Sequence, residues 1–229
     1  MNNITTIFFD AGGVLFDTET SRETRIKNIL KSKGYREEEI IKAIRCGEDF
    51  YKKLKDYKWL SKWKDEEDFF NQYYEIITQN LPTNDPYSLK MQLFLHTHFA
   101  GHCVLFKEVR AILDSLYGKY KLGVISNAFP SMDWIFDLLD IRKYFDVIVL
   151  SSKVGKSKPD SVIYEKALES INSKAAECIF IDDKQENIEA ANNLGFVGIH
   201  LDRKNDDLNI IKPYLILNCK SNYVIKEGD

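Results

Sequence analysis

Cysteine is scarce and scattered in this chain: Cys46, Cys103, Cys178 and Cys219 stand far apart, and no C-x-x-C pair occurs. That excludes a disulfide framework and a thiolate zinc module, and it fits free thiols in a reducing cytoplasm. No apolar run approaches the roughly 20 residues that a membrane helix needs, so no membrane partner is expected. The first apolar run, residues 7–16, carries Asp10 and Gly12-Gly13 and lacks a basic leader, which argues against a signal peptide. Neither sign of charge is in excess: 32 Lys and Arg face 35 Asp and Glu, for a formal net charge of −3. Such a balance gives no reason to expect nucleic acid as a partner. Internal repeats and low-complexity segments are also absent. What is there is 229 residues, 44% hydrophobic and 29% charged, a composition that suits a soluble globular chain. At about 150 residues per domain, that length reads as one domain with an insertion or two small ones.

Four segments share one design, an apolar, β-branched or aromatic run that ends in polar residues: 6–10 (TIFFD), 122–127 (LGVISN), 146–152 (DVIVLSS) and 178–183 (CIFIDD). A fifth, 197–201, follows the Leu194-Gly195 turn. Runs without alternation read as strands buried on both faces, the habit of parallel sheets. Amphipathic helical stretches at 107–116, 131–139, 161–170 and 185–194 alternate with the later strands, which predicts an α/β fold with a doubly wound parallel sheet. About 110 residues separate the first strand from Leu122, far more than a crossover needs. Most of that interval has helical spacing, so an α-helical module is expected to be inserted after the first strand. Asp65, with Asp68 three residues on, reads as the N-cap of a helix running to about Asn80, and Pro82 and Pro86 punctuate the next connection.

In open α/β sheets ligands bind beyond the carboxyl ends of the strands. Those ends carry Asp10, Ser126-Asn127, a Lys-rich loop at 153–159 and Asp182-Asp183. Carboxylates gathered this way call for a cation, and an all-oxygen set is what Mg²⁺ prefers, usually in company with phosphate groups. A hydroxyl, an amide and a lysine nearby would hold an anion. The residues therefore predict a metal-dependent site for a phosphorylated ligand.

With these residues in place the sequence resembles the haloacid dehalogenase superfamily, mostly phosphatases. The first motif matches Phe9-Asp10-Ala11-Gly12-Gly13-Val14-Leu15-Phe16-Asp17-Thr18, and the second Val124-Ile125-Ser126-Asn127. The third is Gly155-Lys156-Ser157-Lys158-Pro159-Asp160, and the fourth Phe180-Ile181-Asp182-Asp183 followed by Asn187. The resemblance covers residues 1–18 and about 104–202. It implies a core of residues 1–18 and 103–229 and a helical C1 cap at 19–102.

The resemblance also implies roles. Asp10 would be the nucleophile that forms an aspartyl-phosphate, and Lys158 would reduce the repulsion between that carboxylate and the phosphate dianion. Ser126 and Asn127 would bind the phosphoryl group, and Thr18 would orient the carboxylates of the first motif. Asp10, the Gly12 carbonyl and Asp183 would hold Mg²⁺, with Asp182 completing or supporting the shell. The substrate would be a small phosphorylated metabolite. One departure stands out: most such phosphatases have an acid–base Asp where this chain has Gly12. Metal binding would survive, since only the backbone oxygen is used. The lost proton transfer is worth typically 10²–10⁴-fold in rate, so turnover is expected to be low unless Asp17, Glu19 or a cap residue substitutes. Two rivals share features with this reading, a metal-independent 2-haloacid dehalogenase and a catalytically weakened binding protein of the same fold. Asp182-Asp183 argues against the first, and Gly12 keeps the second open.

Three features stay outside that scheme. His96, His98 and His102 lie near the end of the helical interval, and His98 and His102 have i, i+4 spacing, but no carboxylate or cysteine stands beside them, which favours a hinge or surface role over zinc. Residues 51–64 carry six lysines and the aromatics Tyr51, Tyr57, Trp59 and Trp63. They read as a helix that buries its rings, or as a face that meets an anionic or ring-bearing substrate. Residues 214–217 (YLIL) are a candidate edge strand or docking segment. The sequence leaves a monomer and a weak dimer both open.

Overall fold

The computed structural model describes residues 3–53 and 60–215. The chain runs through β1 (Thr6–Phe9), β2 (Phe16–Thr18), α1 (Arg22–Ser32), α2 (Glu37–Tyr51), α3 (Trp63–Gln79), α4 (Pro86–Thr97) and β3 (Cys103–Leu105). It continues with α5 (Val109–Leu116), β4 (Lys121–Ser126), α6 (Met132–Leu138), β5 (Val147–Leu150), α7 (Ser151–Val154), α8 (Ser161–Ile171), β6 (Cys178–Asp182), α9 (Gln185–Asn193) and β7 (Val197–His200).

Five strands form one parallel sheet in the order β5-β4-β1-β6-β7. Every residue of β1 is buried, because successive side chains of the central strand point into two separate layers. Ile7 and Phe9 pack with Val109, Ile112 and Leu113 of α5 and Ile135 and Phe136 of α6. Phe8 points the other way, toward Ile163, Tyr164 and Ala167 of α8 and Ile188 and Ala191 of α9. Helices on both faces are what the unalternated apolar runs require, and the α/β doubly wound expectation holds.

Helices α1–α4 lie between β2 and β3 and bury a cluster of their own. On α3, Phe69, Phe70, Tyr73, Tyr74 and Ile77 recur at helical intervals and pack with Ile26 and Leu30 of α1, Ile40 and Ile44 of α2, and Leu89 and Leu93 of α4. Phe129, from the loop after β4, joins this cluster. The chain enters and leaves the insertion through an antiparallel ribbon in which Phe16 pairs with Leu105 and Thr18 with Cys103. Three residues per strand are too few to show a period, so the ribbon was not legible in the sequence.

Local details differ from the expectations in physically explicable ways. The strand at 146–152 stops at Leu150, and Ser151 opens a one-turn helix that Gly155 ends in the left-handed region at φ 76°. Asp65 is not the N-cap of α3 but its third residue, and its carboxylate reaches back to accept from the N-cap Lys62 N at 3.0 Å. Pro86 is the first residue of α4 rather than part of a connection; the Asp85 carboxylate caps it by accepting from Ser88 N at 3.0 Å. Residues 212–215 are helical, not an edge strand. Ile216, Leu217, Tyr57, Trp59 and Cys219 lie outside the described residues. None of the described helices is long and apolar enough to cross a membrane.

Candidate active site

Phe9 pairs with Val124 on one side and Ile181 on the other, so β1, β4 and β6 end together. The residues just past those ends, Asp10, Ser126-Asn127 and Asp182-Asp183, therefore emerge side by side. A cavity of about 300 Å³ opens there, lined among others by Asp10, Gly12, Ser126, Asn127, Lys158 and Asp183.

Asp10 is 8% exposed. Its Oδ1 accepts from Ala11 N at 2.7 Å and from Lys158 Nζ at 2.9 Å, while no described residue donates to Oδ2. One oxygen is thus anchored and the other is presented to the cavity. Burial raises the Asp10 carboxyl above the usual carboxylate range; the Lys158 ammonium opposes that, and the neighbouring Asp182 charge adds to it.

Lys158 is buried, and its three ammonium protons are matched by Asp10 Oδ1, by Asp182 Oδ2 at 2.6 Å and by the Ile125 carbonyl at 2.8 Å. Asn127 grips the Lys158 backbone from both sides: its Oδ1 accepts from Lys158 N at 2.7 Å, and its Nδ2 donates to the Lys158 carbonyl at 2.8 Å. The Asn127 amide is committed to placing the lysine, although the residue also lines the cavity. Ser126 is 2% exposed, and no described residue bonds its hydroxyl, which leaves that group for whatever occupies the cavity.

Asp182 and Asp183 differ sharply despite being adjacent. Asp182 is fully buried, and its oxygens take Lys158 Nζ, Lys184 N at 2.8 Å and Asn187 Nδ2 at 3.0 Å, so it holds the lysine rather than facing the cavity. Asp183 lines the cavity, and its Oδ1 is buried with no hydrogen-bond partner among the described residues. Burial raises its pKa, and the charges of Asp10 and Asp182 add to the effect. Gly13, at φ 78°, makes the approach of Asp183 possible: a Cβ there would lie 2.7 Å from Asp183 Oδ2.

Asp10, Asp182 and Asp183 each offer an oxygen within 4.8 Å of the others. Four carboxylates, Asp10, Asp17, Asp182 and Asp183, stand against the ammonium groups of Lys158 and Lys184, an imbalance of two negative charges, and the Asp183 oxygen is an orphaned buried acceptor. An oxygen-only donor set with that deficit fits a hard divalent cation such as Mg²⁺.

Thr18 is carried away from this group. Paired with Cys103 in the ribbon, it lines an adjoining cavity of about 250 Å³ with Arg22, Tyr51 and Phe129, and no hydrogen bond joins it to Asp10. Its tie to the first motif runs through the backbone, where Thr18 N donates to Asp17 Oδ1 at 2.7 Å. Asp17 does line the Asp10 cavity. The histidines do not share a helix face, since α4 ends at Thr97. His102 Nε2 meets the His96 carbonyl at 2.9 Å, and His98 Nε2 meets Glu66 Oε1 at 3.1 Å. Glu66 went unnoticed in the sequence: it is wholly buried on α3, and it also accepts from Ser131 N at 2.8 Å and Ser131 Oγ at 2.6 Å. Arg203 was missed as well. It donates to the carbonyls of Gly13 and Val14 and pairs with Glu108, bracing the loop that follows Asp10.

Sequence comparison finds a sesquiterpene phosphatase, astK, of Aspergillus oryzae that is 51% identical over 57 residues, 25% of this chain and 29% of that protein. The chain thus spans less than a third of the length of that relative. A phosphoglycolate phosphatase of Aquifex aeolicus is 24% identical over 96% of this chain and 98% of its own. Among solved folds, a haloacid dehalogenase family enzyme of Bacteroides thetaiotaomicron, crystallised with magnesium and inorganic phosphate, superposes with a TM-score of 0.63 at 18% identity, covering 90% of this chain and 98% of its own. The family model for haloacid dehalogenase-like hydrolases matches residues 7–199, from the first strand of the sheet to the last, and the chain belongs to that family.

Proposed function

We propose that this chain is a Mg²⁺-dependent phosphatase of a small phosphorylated metabolite, working through an aspartyl-phosphate on Asp10. The observation that carries the reading is Asp10 itself, with one oxygen pinned by Ala11 N and Lys158 and the other directed into a cavity shared with Ser126 and Asp183. Asp10 Oδ2 attacks phosphorus, the bond from phosphorus to the leaving oxygen breaks, and that oxygen takes up a proton. Water then attacks the phosphorus of the aspartyl-phosphate, which releases inorganic phosphate and restores the carboxylate. Asp10, the Gly12 carbonyl and Asp183 would hold the cation, which when bound offsets the negative charge shared by nucleophile and phosphoryl group. Ser126 binds a phosphoryl oxygen. Lys158, saturated by its three acceptors, neutralises charge and fixes Asp10, while Asp182 and Asn127 fix Lys158. Helices α1–α4 act as the cap that closes over the cavity and excludes water.

The proton needs a donor, because Gly12 brings none. Asp17 fills that role: it is a carboxylate on the same cavity wall and is open to solvent. The decisive assay is phosphate release from p-nitrophenyl phosphate and from sugar, nucleotide and three-carbon phosphates, with Mg²⁺ and with EDTA. Turnover is expected with Mg²⁺ only and is expected to vanish in Asp10→Asn. Asp17→Asn should slow alkyl phosphates by about 10²–10⁴ and p-nitrophenyl phosphate far less, since that leaving group needs no proton. Activity retained in EDTA or in Asp10→Asn overturns the reading.

A further inference from the structure

The cavity beside the Asp10 site contains a cation, Arg22, that meets no carboxylate among the described residues. The Arg22 guanidinium carbon lies 4.3 Å from the ring centroid of Tyr51, 5.0 Å from that of Tyr73 and 5.2 Å from that of Phe70. Its Nε is buried with no hydrogen-bond partner, and no carboxylate among the described residues pairs with the side chain. Of the hydroxyls around it, Tyr73 donates to Glu48 at 2.7 Å and Tyr74 bonds Thr97 at 2.6 Å, which leaves Tyr51 as the side chain that hydrogen-bonds the guanidinium. Ring faces and the Tyr51 hydroxyl offset part of the cost of burying a guanidinium, but they offer its N–H groups no anionic acceptor.

The other buried charges nearby are matched. Arg25, on the same cavity wall, donates from Nε and Nη2 to the Thr97 carbonyl at 3.2 and 3.0 Å and from Nη1 to the Thr20 carbonyl. Lys158 and Glu66 have the partners described above. Arg22 is thus the arginine of this cavity whose Nε is left without an acceptor and whose charge meets no carboxylate among the described residues, and an unsatisfied buried polar group is costly unless a ligand completes it.

Asn127 and Met132 line both cavities, so the two adjoin at those residues. A phosphate monoester with its phosphoryl group beside Asp10 and Ser126 would have room for its leaving group in the adjoining cavity that Arg22 lines. We propose that Arg22 is a specificity-determining residue that binds a second anionic group, a carboxylate or a second phosphate, on the leaving portion of the substrate. The inference rests on the phosphatase reading and narrows it: the substrates are small phosphate monoesters with a second negative charge. Tyr51 and Phe129, on the same wall, suit the short carbon chain between the two anions.

The test is a matched pair of esters, phosphoglycolate and 2-hydroxyethyl phosphate, which differ by a carboxylate in place of a hydroxymethyl group. The wild type should favour the carboxylate by 10-fold or more in kcat/KM. Arg22→Gln should bring that ratio toward one, mainly through KM for the anionic ester, and Arg22→Lys should restore part of it. A structural role for Arg22 would lower both esters in parallel and leave the ratio standing, which overturns the proposal. A wild type that does not discriminate overturns it without any variant. Calorimetric binding of the same esters to Asp10→Asn separates the two readings. A carboxylate preference that disappears in Asp10→Asn with Arg22→Gln supports the subsite even if no turnover is found, and equal binding of both esters refutes it.

Discussion

Gly12 and Gly13 are chain neighbours with opposite tolerances. A Cβ on Gly13 would collide with the Asp183 carboxylate, and its φ of 78° disfavours any L side chain. Gly13→Ala is expected to cost about 1–3 kcal/mol in urea unfolding and to weaken Mg²⁺ binding in a calorimetric titration, because Asp183 must move. A Cβ on Gly12 meets nothing within 4 Å. Gly12→Asp is therefore expected to fold with little change in stability, about 0.5 kcal/mol or less, and to raise turnover of alkyl phosphates 10-fold or more by restoring a carboxylate where the family usually has one. At this scale the sequence displayed the site's chemical groups well and their partners poorly. Asp10, Ser126 and Asp183 were legible from their places at strand ends, and Lys158 from the Lys-Pro pair of the third motif. That Asn127 spends its amide on the Lys158 backbone, 31 residues away, was not, because spacing along a chain says nothing about which of two polar neighbours turns toward the cavity.

Helix α3 is tied to the sheet domain through Glu66. Its carboxylate sits against Ser131, the N-cap of α6, and against His98, the C-cap of α4. Three elements meet at one buried acid, so removing it leaves the buried Ser131 N–H and hydroxyl without their acceptor. Glu66→Ala is expected to destabilise by about 1–3 kcal/mol in urea denaturation, and Glu66→Gln, which keeps an acceptor in place, to recover most of that. Elements long enough to show a period, such as α3 and α8, were legible from apolar spacing alone. Glu66 was not: it stands in an acidic run, Asp65 to Asp68, that reads as a solvated first turn, and its partners are 32 and 65 residues distant.

Across the whole molecule, the segment after β7 reaches back to the first loop. Arg203 donates to the Gly13 and Val14 carbonyls, lies 3.8 Å from the Phe106 ring centroid and pairs with Glu108, which also accepts from Leu208 N at 3.1 Å. Burial pushes the Glu108 carboxyl up, but Arg203 and the backbone N–H groups outweigh it and hold the pKa below the usual glutamate value. A carboxyl depressed in the folded state contributes stability above its unfolded pKa of about 4.3 and loses it as pH falls through the folded value. The urea midpoint of the wild type should therefore fall more steeply below about pH 4 than that of Glu108→Gln, when both are followed from pH 6 to 3. The layered α/β plan was legible because apolar runs and helical stretches alternate. The strand order and this brace depend on register and on contacts over 95 residues or more, which no local pattern encodes.

The ribbon of β2 and β3 has a further consequence for how this chain tolerates change. Thr18 and Cys103 are paired partners, so the two ends of the insertion are already held together before any of its helices is counted. The insertion is in effect a loop closed at its neck. For such a loop, doubling the number of residues adds only about 0.6 kcal/mol of closure entropy. The chain between Thr18 and Cys103 can thus lengthen or shorten at little entropic cost to the sheet beneath, provided the Glu66–Ser131 and Phe129 contacts are kept. Arg22, Tyr51 and the other walls of the second cavity that the insertion supplies belong to the part of the chain that can drift fastest, while Asp10, Lys158 and Asp183 stay fixed by the strands.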